Sequence, residues 1–253
     1  MEIKDQLVVV TGASRGLGAE IAKSFGREKA NVVVNYYQSE EKAWEIAREI
    51  GSHALAVQAD VMDKQQVEDM FIKAERHFKQ PVTTVINNAL VGFKFDAVNR
   101  KNAETITWKE YQSQLEGSVK AALITIQAGL KGMREMEFGR VINIGTNLLQ
   151  NPVVPYHDYT TSKSALLGFT RNMASELGQH GITVNMVSGG LLEKTDASAS
   201  TPDQVFEAIR ETTPLKKVTS PKEAADAVLF FASPWSRAVT GQNLVVDGGL
   251  VMD

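Results

Sequence analysis

Tyr159 and Lys163 stand four residues apart in "YHDYTTSK", which begins at Tyr156 and also contains His157. If a helix begins near His157, positions i and i+4 share one of its faces. A lysine ammonium on that face favours the ionised form of a phenol and lowers its pKa from about 10. A phenol tuned in this way can pass a proton to or from an oxygen. The pair would look the same on an ordinary surface helix. This stretch alone therefore does not decide whether Tyr156, Tyr159 or neither does chemistry. Tyr156 follows Pro155 and falls before the expected helix, so it reads as a pocket wall. His157 reads as an exposed residue of the first helical turn.

A second group of residues suits a phosphate. "TGASRGLG", residues 11–18, directly follows the first apolar run and opens the first helical pattern. A turn there aims backbone N–H groups and a helix N-terminus at an anion. Gly12 permits the tight turn, Gly16 lets backbone approach a pyrophosphate, and Gly18 lets the helix pack close. Ser14, Arg15 and Leu17 complete the candidate contacts. The spacing is GxxxGxG rather than the general GxGxxG. An acid at the end of the second strand binds the ribose 2′-hydroxyl of NAD. Here Asn35 and Tyr36 hold that place, and Glu40 and Glu41 fall in the next helix. Arg15 can meet a 2′-phosphate, with Ser39 as a hydroxyl donor, so NADP(H) is the expected cofactor.

These residues need a scaffold, and its elements are legible. Seven short apolar runs recur, from "QLVVVTG" through "NVVVNY", "HALAVQAD", "VTTVINNA", "GRVINIGT" and "ITVNMVS" to "NLVVD". Apolar residues on successive positions are expected of strands buried on both faces of a parallel sheet. Helical patterns separate them, including a long one beginning "TWKEYQSQL" and another with Ser39 as N-cap and Gly51 as its stop. Strand–helix alternation predicts an α/β chain, a Rossmann-type doubly wound parallel sheet of about seven strands with helices on both faces. Two stretches, residues 91–105 and 190–221, show no clear element; both follow strand ends, where such sheets bind ligands. With no linker or repeat, residues 1–253 read as one domain. The net charge of −3 carries no basic block, which argues against nucleic acid. No cysteine is present, which excludes disulfides, thiolate metal sites and cysteine nucleophiles. The four histidines have no metal-binding spacing. "LVVV" starts too early and is too short for a signal peptide or membrane span, so a soluble cytoplasmic protein is expected.

TGxxxGxG at residues 11–18, "NNA" at 87–89, YxxxK at 159–163 and "VDGG" at 246–249 occur in this order. On these four motifs the chain resembles the classical short-chain dehydrogenases/reductases along essentially its whole length. Within them it is most similar to the 3-oxoacyl-[acyl-carrier-protein] reductase group of fatty acid biosynthesis. The resemblance implies that Tyr159 is the general acid or base. It implies that Lys163 lowers the Tyr159 pKa and bonds the nicotinamide ribose. Thr146, where the family usually has serine, would orient the substrate oxygen. Asp60 and Val61 would recognise the adenine, and Asn88 and Ala89 would support the cofactor side. Gly190, Leu192 and Thr195 would lie near the nicotinamide. The dinucleotide-binding half would span about residues 1–90 and the catalytic and substrate half about 91–253. A homotetramer is expected from the family, with the long fourth helix and the tyrosine helix at a subunit interface. Trp235 and its two neighbouring phenylalanines read as core and subunit contact.

Departures accompany the likeness. The usual "NNAG" is "NNAL", with Leu90 where glycine gives backbone freedom. Ser118 stands where an asparagine helps to carry a proton relay through water. Gly189 replaces the proline of the usual "PG". Docking of an acidic carrier protein calls for basic residues at the mouth, yet two such positions hold Glu137 and His180, with Arg134, Arg140 and Arg171 nearby. A reductase of a small or CoA-linked carbonyl therefore stands beside a carrier-protein reductase. A cofactor-binding paralogue with little turnover, a sensor or structural protein, is the alternative of another class. Substrate contacts are expected in residues 91–105 and 191–214, and no rule converts those loops into a ligand.

Overall fold

The computed structural model describes residues 1–193, 195, 198, 199 and 201–252. Seven strands lie parallel in one sheet: β1 (Leu7–Val10), β2 (Asn31–Tyr36), β3 (Ala54–Gln58), β4 (Thr84–Asn87), β5 (Gly139–Thr146), β6 (Ile182–Gly189) and β7 (Asn243–Val246). Their spatial order is β3-β2-β1-β4-β5-β6-β7. The chain winds outward from β1 to β3, then crosses back to place β4 beside β1. That reversal opens a crevice beyond the carboxyl ends of β1 and β4, where ligands bind in open α/β sheets.

The apolar runs explain the layers. Successive strand residues point to opposite faces, so Val8 and Val10 pack with Ile21, Phe25 and Phe231 on one side. Leu7 and Val9 pack with Phe71, Ile126 and Leu177 on the other. Helices α1 (Gly16–Arg27), α2 (Glu40–Ile50) and α8 (Pro221–Ala232) cover the first face; α3 (Lys64–Phe78), α5 (Ala121–Glu135) and α6 (His157–Leu177) cover the second. Start signals are read directly: Asp63 accepts from Gln66 N, and Ser220 and Glu223 form a capping box ahead of Pro221. Ser39 takes the N-cap position of α2 without a side-chain bond, and Gly51 closes that helix at φ 90°.

Three elements differ from the expectation. The long fourth helix is α4 (Trp108–Leu115) and α5 joined by a π-helical segment, Glu116–Lys120. Helix α7 (Asp203–Thr212) lies inside the stretch that showed no clear element. Val205, Phe206 and Ile209 give it an apolar side, of which only Phe206 is buried. Phe231 is core as expected, but Trp235 is 82% exposed, because Pro234–Ser236 forms a 3-10 turn on the surface.

Candidate active site

β5 ends at Thr146, and α6 starts at His157 and runs back along the sheet, so the two elements bring Thr146, Tyr159 and Lys163 together. All three side chains are buried. The Tyr159 hydroxyl is hydrogen-bonded to the Thr146 side chain. Thr146 Oγ1 also accepts from Leu148 N at 3.3 Å, which fixes the hydroxyl at the mouth of β5. Lys163 Nζ donates to the Ile144 carbonyl at 2.7 Å and lies 5.7 Å from the Tyr159 ring centre.

The protonation balance differs from the simple lysine–phenol picture. Burial pushes the Tyr159 phenol up to about 12, with the Thr146 hydrogen bond pulling the other way. Burial pushes Lys163 down to about 8. Desolvation disfavours whichever form is charged, so it drives the two pKa values apart, the phenol up and the ammonium down. At neutral pH the phenol keeps its proton, and it is a donor. Tyr156 is buried against the same wall; burial first and Asp96 second raise its pKa, with Arg100 opposing.

A buried polar network stands behind the pair, and sequence reasoning missed it. Thr125 Oγ1 donates to Asn87 Oδ1 at 2.6 Å, Asn87 Nδ2 donates to Asn143 Oδ1 at 2.8 Å, and Asn143 Nδ2 donates to Thr170 Oγ1 at 2.8 Å. The only signal was polar residues inside apolar strands. Ser118 sits in the π-helical segment with its Oγ 3.2 Å from Ser162 Oγ, and Ser162 donates to the Tyr159 carbonyl at 2.8 Å. A cavity of about 10 Å³, the size of one water, is lined by Ser118, Lys163, Asn87, Thr125, Val61 and Ala89.

The glycine turn meets this cavity from the other side, through Thr11. Gly12 and Gly16 have φ of +63° and +55°, and a Cβ at Gly18 would lie 2.4 Å from the Gly12 carbonyl. Asn88 Nδ2 donates to the carbonyls of Thr11 and Gly12 at 2.9 and 3.2 Å, and Ala89 N donates to Thr11 Oγ1. Arg15 occupies the N-cap position of α1, which has no side-chain cap, so the first-turn N–H groups are open to an anion. Leu17 packs against the core, and Ser14 is half-buried in the turn. This is a fit for a dinucleotide pyrophosphate.

At the end of β2, Asn35 is fully engaged in bracing: its Oδ1 accepts from Gly12 N, and its Nδ2 donates to the Ala59 carbonyl at 3.1 Å. Its side chain therefore holds the glycine turn and does not face a ribose. Tyr36 is buried, with its hydroxyl bonded to Glu40. Arg15 is exposed and has no ion pair or hydrogen bond among the described residues, and the Ser39 hydroxyl is equally uncommitted. Asp60 Oδ1 accepts from Met62 N at 2.9 Å, and Val61 is buried.

The departures resolve locally. Leu90 is not among the residues of positive φ; that conformation falls on Gly92, at +64°. Of the two glycines after β6, a Cβ on Gly190 would come within 2.9 Å of Asn147 Nδ2, while one on Gly189 would meet only Leu192 at 3.7 Å. Leu192 bridges Thr219, and Thr195 lies beside Gly16. Lys194, Asp196, Ala197 and Ser200, within the stretch expected to meet substrate, lie outside the described residues. Arg140 is buried, with Nη1 donating to the Gly139 carbonyl at 2.8 Å and its guanidinium over Phe138, so it is no part of a basic docking surface.

Residues 91–105 supply what the sequence reading did not name. Phe93 stacks on Tyr159 with ring centres 4.6 Å apart, and Phe95 meets Tyr159 edge-on at 5.3 Å. Both also pack on Tyr156. The "GFKF" spacing, two phenylalanines on alternate residues after a free-turning glycine, was the available signal.

Known proteins share this plan. A family model described as enoyl-(acyl carrier protein) reductase matches residues 12–251. A 3-oxoacyl-[acyl-carrier-protein] reductase of Synechocystis is 32% identical over 98% of this chain and 97% of its own. One of Vibrio cholerae is 30% identical over the full length of both. Among solved structures, a dehydrogenase/reductase of Sinorhizobium meliloti superposes with a TM-score of 0.86 at 30% identity, covering 98% of this chain and 95% of that one. A protein described as a candidate gluconate dehydrogenase of Agrobacterium tumefaciens gives 0.87 at 26% identity with both chains fully covered. Among the described residues there is no cluster that could hold a metal and no helix long and apolar enough to cross a membrane. With the sheet order, the glycine turn and the Tyr–Lys pair already in place, these full-length similarities establish that the chain belongs to the short-chain dehydrogenase/reductase family of oxidoreductases.

Proposed function

We propose that the chain is an NADP(H)-dependent oxidoreductase that reduces a carbonyl to a hydroxyl, resembling 3-oxoacyl-[acyl-carrier-protein] reductase. The observation that carries this reading is the hydrogen-bonded pair of buried hydroxyls on Tyr159 and Thr146. Two hydroxyls that close on each other can both turn to one carbonyl oxygen. Tyr159 donates the proton, Thr146 holds the oxygen, and Lys163 supplies positive charge beside the phenol as negative charge develops. Ser118 and the water-sized cavity next to Lys163 give the proton a route of resupply.

Gly12, Ser14, Arg15, Gly16, Leu17 and Gly18 would hold the cofactor's phosphates, with Ser39 and Arg15 on the 2′-phosphate and Asp60 and Val61 at the adenine. Asn88, Ala89, Gly190, Leu192, Thr195 and Lys163 would frame the nicotinamide end. When bound, NADPH supplies a hydride to the carbonyl carbon. The proposed unit is a single domain, with a dinucleotide half over about residues 1–90. It is placed in the cytoplasm as a homotetramer, acting on an acyl-thioester or small carbonyl substrate. An acyl carrier protein is one candidate partner. Glu137 and the burial of Arg140 weigh toward a CoA-linked or free substrate instead.

The test is oxidation of NADPH by the purified protein with acetoacetyl-CoA, with NADH in parallel. We expect turnover that falls by about a thousandfold in Tyr159→Phe while cofactor binding persists. One observation favours a second reading: Phe93 lies flat on Tyr159, as it would in a cofactor-binding paralogue with little turnover. NADPH binding without oxidation across a range of ketones and aldehydes would select it.

A further inference from the structure

The groups that would do the chemistry are closed off. Tyr159 and Thr146 are each 5% exposed, and Lys163 is 4% exposed. The cavity that borders Lys163 measures about 10 Å³, the size of one water, and is not lined by Tyr159 or Thr146. A carbonyl with its two substituents is larger than a water, so a substrate reaches Tyr159 only after something moves.

What covers Tyr159 is a ring. Phe93 lies over it with centres 4.6 Å apart and 19° from parallel, and Phe95 stands edge-on to both rings at 5.1 and 5.3 Å. Tyr156 meets Phe93 edge-on at 5.4 Å. Aromatic pairs of these kinds each shift an equilibrium by about two- to tenfold.

The chain before this ring is built as a joint. Val91 is fixed: its carbonyl accepts from Gln114 Nε2 at 3.0 Å, and a Cβ on Gly117 of the π-helical segment would stand 2.9 Å from its side chain. Gly92 is the reverse. It has φ +64°, and a Cβ there would meet nothing within 4 Å. Phe93 follows directly. Past it, Asp96 keeps its bonds within its own turn, to Val98 N, Asn99 N and Asn99 Nδ2 at 2.8–3.1 Å. The segment is tied to α4 again where Lys101 pairs with Glu110. A fixed residue, a free glycine and a self-contained turn let the piece between the ties rotate as a unit.

Resting on the reductase reading, we infer that Phe93 is a gate on the catalytic hydroxyl. Closed, its ring covers Tyr159 and excludes the carbonyl; rotation at Gly92 lifts the ring and admits it. Apparent substrate affinity is then reduced by the fraction of molecules that are closed.

A gate differs from a fixed wall in its response to Gly92→Ala. A left-handed φ is strained for alanine, and the open space around Gly92 leaves nothing to clash, so the substitution weakens the closed state without touching a ring. The readout is nitration of the folded full-length chain by tetranitromethane, with each tyrosine followed by peptide mass mapping. In the wild type we expect Tyr159 to react at least about tenfold more slowly than Tyr37, which is 57% exposed. Gly92→Ala should speed Tyr159 by about fivefold and leave Tyr37 unchanged. Phe93→Ala should speed Tyr159 at least as much. Nitration of Tyr159 at the Tyr37 rate in the wild type overturns the inference. So does a Tyr159 rate that Gly92→Ala leaves unchanged, the result for a fixed wall, or a rise shared with Tyr37, the result for a loosened fold. No turnover enters this readout, so a failure of the reductase reading shows separately, as a gate that opens in a chain that oxidises no NADPH.

Discussion

The glycine turn and the 91–105 stretch both border the site, and they are held by opposite means. The turn is stapled through Asn35, Asn88 and Thr11, whose side chains bond backbone of the segments that follow β1 and β4. Residues 91–105 bond mainly to themselves, through Asp96 with Asn99 and Asn102 with Thr105, and rest on the core through stacked rings. Two side-chain contacts tie that stretch to α4: Gln114 Nε2 donates to the Val91 carbonyl at 3.0 Å, and Lys101 pairs with Glu110. Beyond the first, Gly92 has nothing within contact of its missing side chain. A rigid cradle suits a cofactor common to a family, and a loosely seated wall suits a substrate that is not.

Substitutions sharpen this contrast, and the largest effect belongs to the rigid side. In Gly18→Ala the new methyl would stand 2.4 Å from the Gly12 carbonyl and 2.5 Å from Asn88 Nδ2, so the stapled turn must open. We expect a loss of about 3 kcal/mol in urea unfolding and of measurable NADPH binding. An unchanged midpoint would mean that the turn is as soft as the loop.

Lys163 gives the next effect, with the opposite sign. Its ordinary value is 10.5 and burial brings it to about 8. Between those values the unfolded chain holds a proton that the folded chain has released. Stability therefore rises with pH across roughly 8 to 10, until the elevated Tyr159 phenol reverses the trend above 10. Lys163→Met should flatten this rise, stabilise the chain at neutral pH by up to about 3 kcal/mol, and abolish turnover. Denaturant melts at several pH values decide it.

Smaller again is Arg15→Ala. Removing an exposed, unpaired guanidinium should leave the melting temperature in place and reduce the preference for NADPH over NADH by about tenfold. An unaltered preference would remove Arg15 from the 2′-phosphate. Last, Phe93→Ala should cost less than about 1 kcal/mol, since a stacked aromatic pair contributes about that much. It should alter KM far more than kcat, and a large loss of stability would show that the wall is part of the core.

The order of strands and helices was legible because strands buried on both faces must be apolar at successive residues, and helices between them must carry a stripe. Helix α7 escaped although Val205, Phe206 and Ile209 give it an apolar side, because it is short and lies within a long stretch with no strand beside it. The motif residues were legible as types: a turn needing positive φ admits little but glycine, and a phenol and lysine four apart on a helix must share a face. What each side chain touches was not. Asn35 looked like a ribose contact and braces the turn, because the segments that follow β1 and β3 converge on it only in three dimensions. Phe93 and Phe95 looked like loop residues and form the wall of the site, because the loop folds back across α6.

Sequence alone thus determined the parallel sheet, the glycine turn and the Tyr159–Lys163 pair, since these follow from local sterics and periodicity. Tertiary structure alone decided the protonation balance and the aromatic wall beside Tyr159. Burial sets how far a phenol and an ammonium shift. Rings drawn from residues 91–105 and from the start of α6 become one wall only when those elements meet.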